Sequence, residues 1–229
     1  MPTRHTDREY EAELEALREK LLLMAGRVEE MIRRSVEAVC TRDGELGQKT
    51  ILMDRKVNRA EREVDEMCLL ILAKRHPMAS DLRFVTLALK MVTDLERIGD
   101  LAVNVCERAV ELSGEPQLGA TPDIQRIAVI VQSMIKDAID AFVQGDADKA
   151  RAVIDRDDEV DELYHSVFRL LLDVMRRDEA AIAPGIHVQS VAKFLERIGD
   201  HATNLAEQVI FMVRGTDVRH EGKLADALD

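Results

Sequence analysis

One heptapeptide occurs almost identically twice in the chain. Asp94-Leu95-Glu96-Arg97-Ile98-Gly99-Asp100 returns one hundred residues later as Phe194-Leu195-Glu196-Arg197-Ile198-Gly199-Asp200. Two polar positions after each copy also recur, namely Asn104 and Glu107 as Asn204 and Glu207. Each copy therefore has Glu, Asp, Asn and Glu at spacings of four, four and three, which places them on one face of a helix. We interpret the rest of the chain as the scaffold that presents these two polar stripes.

The repeat is wider than the heptapeptide. A shift of 103 residues matches Met31-Ile32 to Met134-Ile135 and Asp54 to Asp157, and the offset falls to 100 only beyond a loop in each half. One change of length at a loop is typical of a duplicated structural unit. We predict two three-helix bundles, at about residues 1–115 and 120–214, followed by a polar tail at 215–229.

The composition indicates an all-α protein. Hydrophobic residues make up 46% of the chain and charged residues 33%, whereas aromatic residues reach only 3% and Trp is absent. This mixture suits long amphipathic helices better than a sandwich or barrel, which is richer in aromatic and β-branched strands. The fold class that we predict is a tandem repeat of two three-helix bundles, with six long antiparallel helices.

The boundaries of the six helices follow from apolar periodicity and from breaking residues. In the first half we expect one helix to end at Asp43-Gly44, a second to span about Leu46 to Lys74, and a third to run to Leu112. In the second half we expect helices ending at Gln144, spanning Asp148 to Arg177, and following Pro184-Gly185 to Arg214. The expected start signals are a capping box at Thr6-Asp7-Arg8-Glu9, a cap at Ser80 or Asp81, and Thr121-Pro122.

The formal charge of −12 bears on the kind of partner. It disfavours nucleic acid and anionic membrane surfaces, and it favours cations and basic protein surfaces. Cys40, Cys68 and Cys106 stand apart in apolar surroundings, as expected of core packing in a reducing compartment. No signal peptide and no run of about 20 apolar residues is visible. We expect a cytoplasmic protein that meets the membrane only through partners, without inserting into it.

The acidic stripe of each copy lies away from its apolar face. At about 100° per residue, Asp100 lies about 40° and Asn104 about 80° from Glu96, on the side opposite Leu95 and Ile98. The interior Gly99 costs about 1 kcal/mol relative to Ala, and close approach of a neighbouring helix is the expected compensation. The natural occupants of that neighbour are polar residues at i and i+4, namely Asp54 and Asn58 in the first half and Asp157 and Asp161 in the second.

These oxygen-rich clusters are candidate metal sites. Carboxylates without His or Cys favour hard or borderline cations such as magnesium, calcium, manganese or iron. The alternative is a solvated charged face, with Arg97 and Arg197 in local salt bridges. The candidate ligands are Glu96, Asp100, Glu196, Asp200, Asp54, Asn58, Asp157 and Asp161, with Asn104 and Asn204 as weaker ones.

Other chemistry finds little support. Glu162 and His165 match the Glu-x-x-His pair of di-iron bundles, but the second helix offers no matching His. His201 follows Asp200 and could flank that site. There is no Gly-rich phosphate loop, nucleophile elbow or Ser/His/Asp arrangement, so we predict no catalytic residue and no organic cofactor.

With these residues in view, the chain resembles the PhoU family of phosphate-signalling regulators. The resemblance covers nearly the whole chain. It rests on Arg75-His76-Pro77-Met78-Ala79-Ser80-Asp81-Leu82-Arg83, on Arg156-Asp157-Asp158-Glu159-Val160-Asp161, and on the two Leu-Glu-Arg-Ile-Gly-Asp copies. Asn58 stands where an acid is expected, which implies a weaker first site.

The resemblance implies a negative regulator of phosphate uptake. Its implied partners are the phosphate ABC transporter with its ATPase and the sensor histidine kinase of the phosphate two-component system, and a homodimer is expected. It also implies iron, zinc, manganese or magnesium ions on the acidic stripes, although metal-free members are known. Two other functions stay open: a carboxylate-bridged metal-dependent enzyme, and a metal-free structural helical adaptor.

Overall fold

The computed structural model describes residues 8–215, and every regular element in that range is helical. The first half contains α1 (Arg8–Thr41), α2 (Gly44–Ile51), α3 (Asp54–Arg75) and α4 (Ala79–Glu111). The second half contains α5 (Thr121–Gln144), α6 (Ala147–Ile154), α7 (Asp157–Arg177) and α8 (Ile182–Arg214), with one 3₁₀ turn at Glu179–Ala181. The all-α class and the repeated bundle are confirmed.

Two of the six expected helices are each divided by a short break. The segment predicted from Leu46 to Lys74 is α2 and α3, and the segment from Asp148 to Arg177 is α6 and α7. At the breaks, hydrogen bonds of the i to i+3 type replace the α-helical pattern, as from the Met53 amide to the Thr50 carbonyl (2.9 Å). The break lets the short helix and the long helix after it pack separately on α4 or α8.

The short helices begin at side-chain caps that belong to the repeat. Asp43 accepts a hydrogen bond from the Leu46 amide at 2.9 Å. Asp146, 103 residues later, accepts from the amides of Asp148 and Lys149 at 3.0 Å. Each carboxylate satisfies amides that the first turn leaves unpaired. The predicted helix ends at Asp43-Gly44 and Gln144 are therefore followed by real breaks, the second of them at Gly145-Asp146.

Some expected start signals are wrong. The first residue of α4 is Ala79 and no side chain caps it, because the Asp81 carboxylate instead accepts a hydrogen bond from the Tyr10 hydroxyl at 3.0 Å. Pro184 and Gly185 lie inside the first turn of α8, which begins at Ile182, a position where Pro is tolerated. The predicted capping box at Thr6 and the tail beyond Gly215 lie outside the described residues.

One hydrophobic core joins the two halves. Helices α4 and α8 run antiparallel at the centre, since Arg83 contacts Met212 while Asp94 contacts His201. Helix α1 packs against α5 beside them, and α3 and α7 flank the outside. The ring of Phe84 in α4 stacks on Phe142 in α5, with 5.6 Å between centroids. Buried side chains from both halves form one continuous cluster.

Candidate metal sites and the family of the chain

The outer helix of each half lies against the central helix at the glycine of the heptapeptide. A Cβ placed on Gly99 would stand 3.3 Å from Val57 Cγ1 and 3.8 Å from Asp54 Oδ1. A Cβ on Gly199 would stand 3.5 Å from both Asp157 Oδ1 and Val160 Cγ1. The close approach that was inferred from these glycines is confirmed, and it brings an aspartate of the outer helix beside each acidic stripe.

The first acidic site, formed by Asp54, Asn58, Glu61, Glu96 and Asp100, lies between α3 and α4. Burial, and then repulsion from Asp100, raises the pKa of Asp54 above its ordinary value. Burial, followed by repulsion from Asp100 and Glu61, likewise raises the pKa of Glu96. The carboxylates of this site therefore lie close enough to repel one another, and this repulsion adds to the effect of burial on their pKa values.

Two groups partly relieve this repulsion. The Asn58 side-chain amide donates to Asp54 Oδ2 at 2.7 Å, and this hydrogen bond counteracts the rise in the pKa of Asp54. Arg97 lies 3.7 Å from a Glu96 oxygen and 3.8 Å from an Asp100 oxygen. The local salt bridges expected for Arg97 are therefore present, although the Arg97 side chain is 60% exposed and the contacts are long.

The second acidic site, formed by Asp157, Asp161, Glu196 and Asp200, lies between α7 and α8. Burial, followed by repulsion from Asp200 and Asp161, raises the pKa of Asp157 to about 6. Burial and repulsion from Glu196 raise the pKa of Asp200, and Lys193 opposes this rise.

A lysine of the same helix supplies a positive charge to the second site. The Lys193 ammonium lies 2.6 Å from Glu196 Oε1, and the Glu196 side chain is only 13% exposed. The ammonium also lies 5.4 Å from the centroid of the Tyr164 ring. In the first half the equivalent position is Thr93, whose hydroxyl donates to the Leu89 carbonyl. The cation beside the acids is therefore a different residue in each site, Arg97 in the first and Lys193 in the second.

Glu61 belongs to the first site and was missed in the sequence. It lies three residues beyond Asn58, so it continues the i, i+4, i+7 pattern that begins at Asp54. The equivalent of Glu61 in the second half is Tyr164. Because the repeat has no acid there, comparison of the two halves does not indicate Glu61 as a site residue. The first site lacks an acid at Asn58 but gains one at Glu61, so each site contains four carboxylates.

The two weaker candidates, Asn104 and Asn204, are not linked to these carboxylates within the described residues. Among residues 8–215, neither Asn104 nor Asn204 hydrogen-bonds to a member of its site. Asn204 instead lines a cavity between the two halves, together with Glu207. His201, expected to flank Asp200, turns its Nδ1 toward Asp94 Oδ1 at 2.9 Å.

Three oxygens at the sites are buried without a hydrogen-bond partner, namely Asp54 Oδ1, Asn58 Oδ1 and Glu196 Oε2. Unsatisfied buried acceptors of this kind suit a hard cation. In the described part of the chain, however, no group of three or more His, Cys, Asp or Glu side chains is arranged to hold a metal ion. The residue types fit a metal, and side-chain rotation is needed to gather them around one.

Three equivalent positions on the outer faces of α3 and α7 carry different charges. The exposed residues Arg55, Arg59 and Arg62 lie on the outer face of α3 and line a shallow groove at the first site. The equivalent positions on α7 are Asp158, Glu162 and His165, also exposed. Glu162 and His165 thus lie on an exposed helix face, and among residues 8–215 no further His, Cys, Asp or Glu is arranged with them to hold a metal ion.

The chain matches the PhoU domain over residues 21–109 and again over residues 124–209. It belongs to the PhoU family. The phosphate-specific transport system accessory protein PhoU homologue of Pseudomonas aeruginosa is 44% identical over 222 residues, which cover 96% of this chain and 91% of that protein. The PhoU of Escherichia coli is 34% identical over 226 residues, covering 99% and 93%.

Solved PhoU structures have the same fold. The crystal structure of PhoU from Pseudomonas aeruginosa superimposes with a TM-score of 0.87 at 42% identity, over 90% of this chain and 100% of that one. The PhoU of Streptococcus pneumoniae gives 0.85 at 25% identity, over 91% and 99%. Within residues 8–215 no helix is long and apolar enough to span a bilayer.

Proposed function

We propose that this protein is an accessory regulator of phosphate transport, which restrains phosphate uptake and keeps the phosphate two-component regulon inactive when phosphate is plentiful. The observation that carries the proposal is similarity over nearly the full length to accessory proteins of the phosphate-specific transport system. The proposed partners are the transporter ATPase and the sensor histidine kinase, and the proposed location is the cytoplasm. Regulation by contact needs no catalytic group, so no enzymatic activity is assigned.

The decisive experiment is complementation of an Escherichia coli strain that lacks its own PhoU, with alkaline phosphatase as the reporter in high phosphate. The 34% identity over 226 residues makes such exchange a fair test. The wild-type chain should return the reporter to its repressed level. A reporter that stays high although the protein is present at normal levels would reject the regulatory role. Capture of the kinase or the ATPase by the purified protein tests the contacts, and analytical ultracentrifugation tests the expected homodimer.

Metal binding at the acidic sites is the second part of the proposal. The clustered carboxylates with raised pKa and the buried, unpartnered oxygens Asp54 Oδ1 and Glu196 Oε2 support it. Iron, zinc, manganese and magnesium are the ions to test. Manganese or iron should raise the melting temperature, and the double variant Glu196→Gln with Asp200→Asn should reduce that rise. If elemental analysis and melting curves show no metal response, the sites are solvated charged faces.

The alternative of a metal-dependent enzyme has its own measurement. Activity against simple phosphoesters in the presence of Mn²⁺ or Fe²⁺ that disappears in the same double variant would favour the enzyme over the regulator. We expect none.

A further inference from the structure

A cavity of about 340 Å³ lies between the two halves of the molecule. Helix α4 of the first half forms one wall and α8 of the second half forms the other, so neither half makes this cavity alone. Small ligands commonly bind where two structural units meet, in cavities of about 300–1,000 Å³. The volume is at the lower end of that range, which fits a ligand no larger than a nucleotide.

The α4 wall presents two cations. Arg83 and Lys90 are seven residues apart, which places them on one face, about 10 Å apart along the axis. The Arg83 Nε–H donates to the Met212 carbonyl at 3.3 Å, which anchors the side chain across the interface and leaves the other guanidinium nitrogens as donors. Lys90 is exposed. Neither cation forms an ion pair with any described carboxylate.

Two carboxylates also line the cavity, so its formal charge is balanced. Both oxygens of Asp94 are already occupied, by His201 Nδ1 at 2.9 Å and by the Gln208 amide at 2.6 Å. Glu207 is not without an interaction partner either. Among the charged groups of the cavity, Arg83 and Lys90 are the two without a partner of opposite charge in the described residues, and they favour an anionic ligand. Gln208 Oε1 is an additional unpaired acceptor in the lining.

The remaining lining is apolar and aromatic. Leu87 lies on the α4 wall between the two cations, and Phe211 lies on the α8 wall with 40% of its surface exposed. A partly exposed aromatic ring in the lining of this cavity suits a ligand with a flat ring, because stacking of a base on an aromatic side chain contributes about 1–3 kcal/mol.

We propose that the cavity binds a nucleoside phosphate, with the phosphates on Arg83 and Lys90 and the base on Phe211. Such a ligand would contact both halves at once, and binding would stabilise the packing of α4 on α8. The proposal goes beyond the regulatory function and does not depend on it.

The test is a calorimetric titration of the full chain with ADP, AMP and inorganic phosphate. EDTA is present throughout, so that no cation bridges the nucleotide to the acidic sites. ADP is expected to bind at micromolar to submillimolar concentration, and Lys90→Gln and Arg83→Gln should each weaken it about tenfold or more. Phe211→Ala should weaken ADP several-fold. Arg59→Gln, an exposed cation on α3 outside the cavity, is the matched control and should change nothing.

Three results would overturn the proposal. The first is that ADP up to millimolar concentration gives neither binding heat nor a shift in melting temperature. The second is that ADP binding survives both Arg83→Gln and Lys90→Gln, and the third is that inorganic phosphate binds as tightly as ADP. Lys90 is exposed, so Lys90→Gln leaves folding intact and keeps the test valid even if Arg83→Gln perturbs the interface. The reporter assay is read separately, so failure of nucleotide binding leaves the regulatory proposal standing.

Discussion

Asp157 Oδ1 lies 3.5 Å from the point that a Cβ on Gly199 would occupy. The carboxylate at the start of α7 therefore rests directly on the backbone of α8, beside Glu196 and Asp200. The same relationship holds between Asp54 and Gly99, at 3.8 Å. At each glycine an aspartate of the outer helix lies beside the central helix, and the tighter contact is at Gly99, where Val57 Cγ1 lies 3.3 Å from the Cβ position.

The two glycines should respond differently to alanine. At Gly199 the added methyl makes ordinary contacts of 3.5 Å or more, so Gly199→Ala should stabilise the protein by about 0.5–1 kcal/mol through helix propensity. At Gly99 the methyl meets Val57 Cγ1 at 3.3 Å, so Gly99→Ala should gain less or lose stability. Urea unfolding with EDTA measures both. Gly26→Ala, with no atom within 4 Å, calibrates the propensity gain; equal effects at all three positions would contradict the close approach.

The stability of the metal-free protein should depend on the protonation of Asp157. Its pKa is raised from 3.8 to about 6 on folding, so the folded state binds the proton more tightly than the unfolded chain. The stability that the folded state gains from protonation of Asp157 is fully present below about pH 4 and is lost as the pH rises through about 6. Asp157→Asn should therefore flatten the fall in stability between pH 4 and 7 and stabilise the protein at pH 7.5.

Urea unfolding at pH 4.5, 6 and 7.5 in EDTA measures this effect. Asp173→Asn removes an exposed carboxylate from the same helix and is the control. A wild-type profile that Asp157→Asn leaves unchanged would show that Asp157 is fully solvated.

The change Asn58→Asp should have opposite effects with and without metal. In EDTA it removes the hydrogen bond to Asp54 and adds repulsion, at a cost of about 1 kcal/mol in the free energy of unfolding. With Mn²⁺ it adds a carboxylate ligand and should tighten the first site roughly tenfold, since a close charge pair adds about 1–4 kcal/mol of attraction. Asp161→Asn is the mirror change and should weaken the second site. If both variants titrate like the wild type, the sites do not hold metal.

The link between the halves should be sensitive to Asp94. This carboxylate accepts from His201 and Gln208 at 2.9 and 2.6 Å, and its side chain is only 14% exposed. Asp94→Ala leaves two polar partners unsatisfied and should cost about 1–3 kcal/mol. Glu111→Ala, an exposed acid on the same helix, should cost far less. Equal losses in thermal or urea unfolding would mean that the Asp94 contacts are not formed in solution.

The sequence predicted the architecture because its local patterns agree with the final packing. Apolar periodicity, the breaks at Asp43-Gly44 and Gly145-Asp146, and the repeat all indicated the same helices. The breaks after Ile51 and Ile154 were not predictable, since no Gly or Pro marks them and tertiary packing on α4 and α8 decides them. Asp81 was assigned to a cap because the sequence does not reveal that Tyr10, 71 residues away, takes its carboxylate.

At the acidic sites the sequence indicated which residues share a helix face but not which neighbours each face meets. Asp54, Glu96 and their repeat partners lie where the helical spacing placed them. The repeat does not indicate Glu61, whose equivalent is Tyr164, and the helical spacing does not reveal that Asn204 lines the cavity between the halves. Which neighbouring helix each level of a polar stripe meets is decided by the packing of the bundle, and the sequence pattern does not contain it.

The shared core of the two halves has a consequence for any partner that recognises both acidic sites. Because α4 and α8 belong to one continuous core, the distance between the sites does not vary with hinge motion, as it would across a flexible linker. A partner with two groups at the matching separation engages the second site as an intramolecular step, at high effective concentration. The two sites then select bivalent partners by the spacing of their binding groups. A partner whose groups are spaced differently binds with the affinity of one site only.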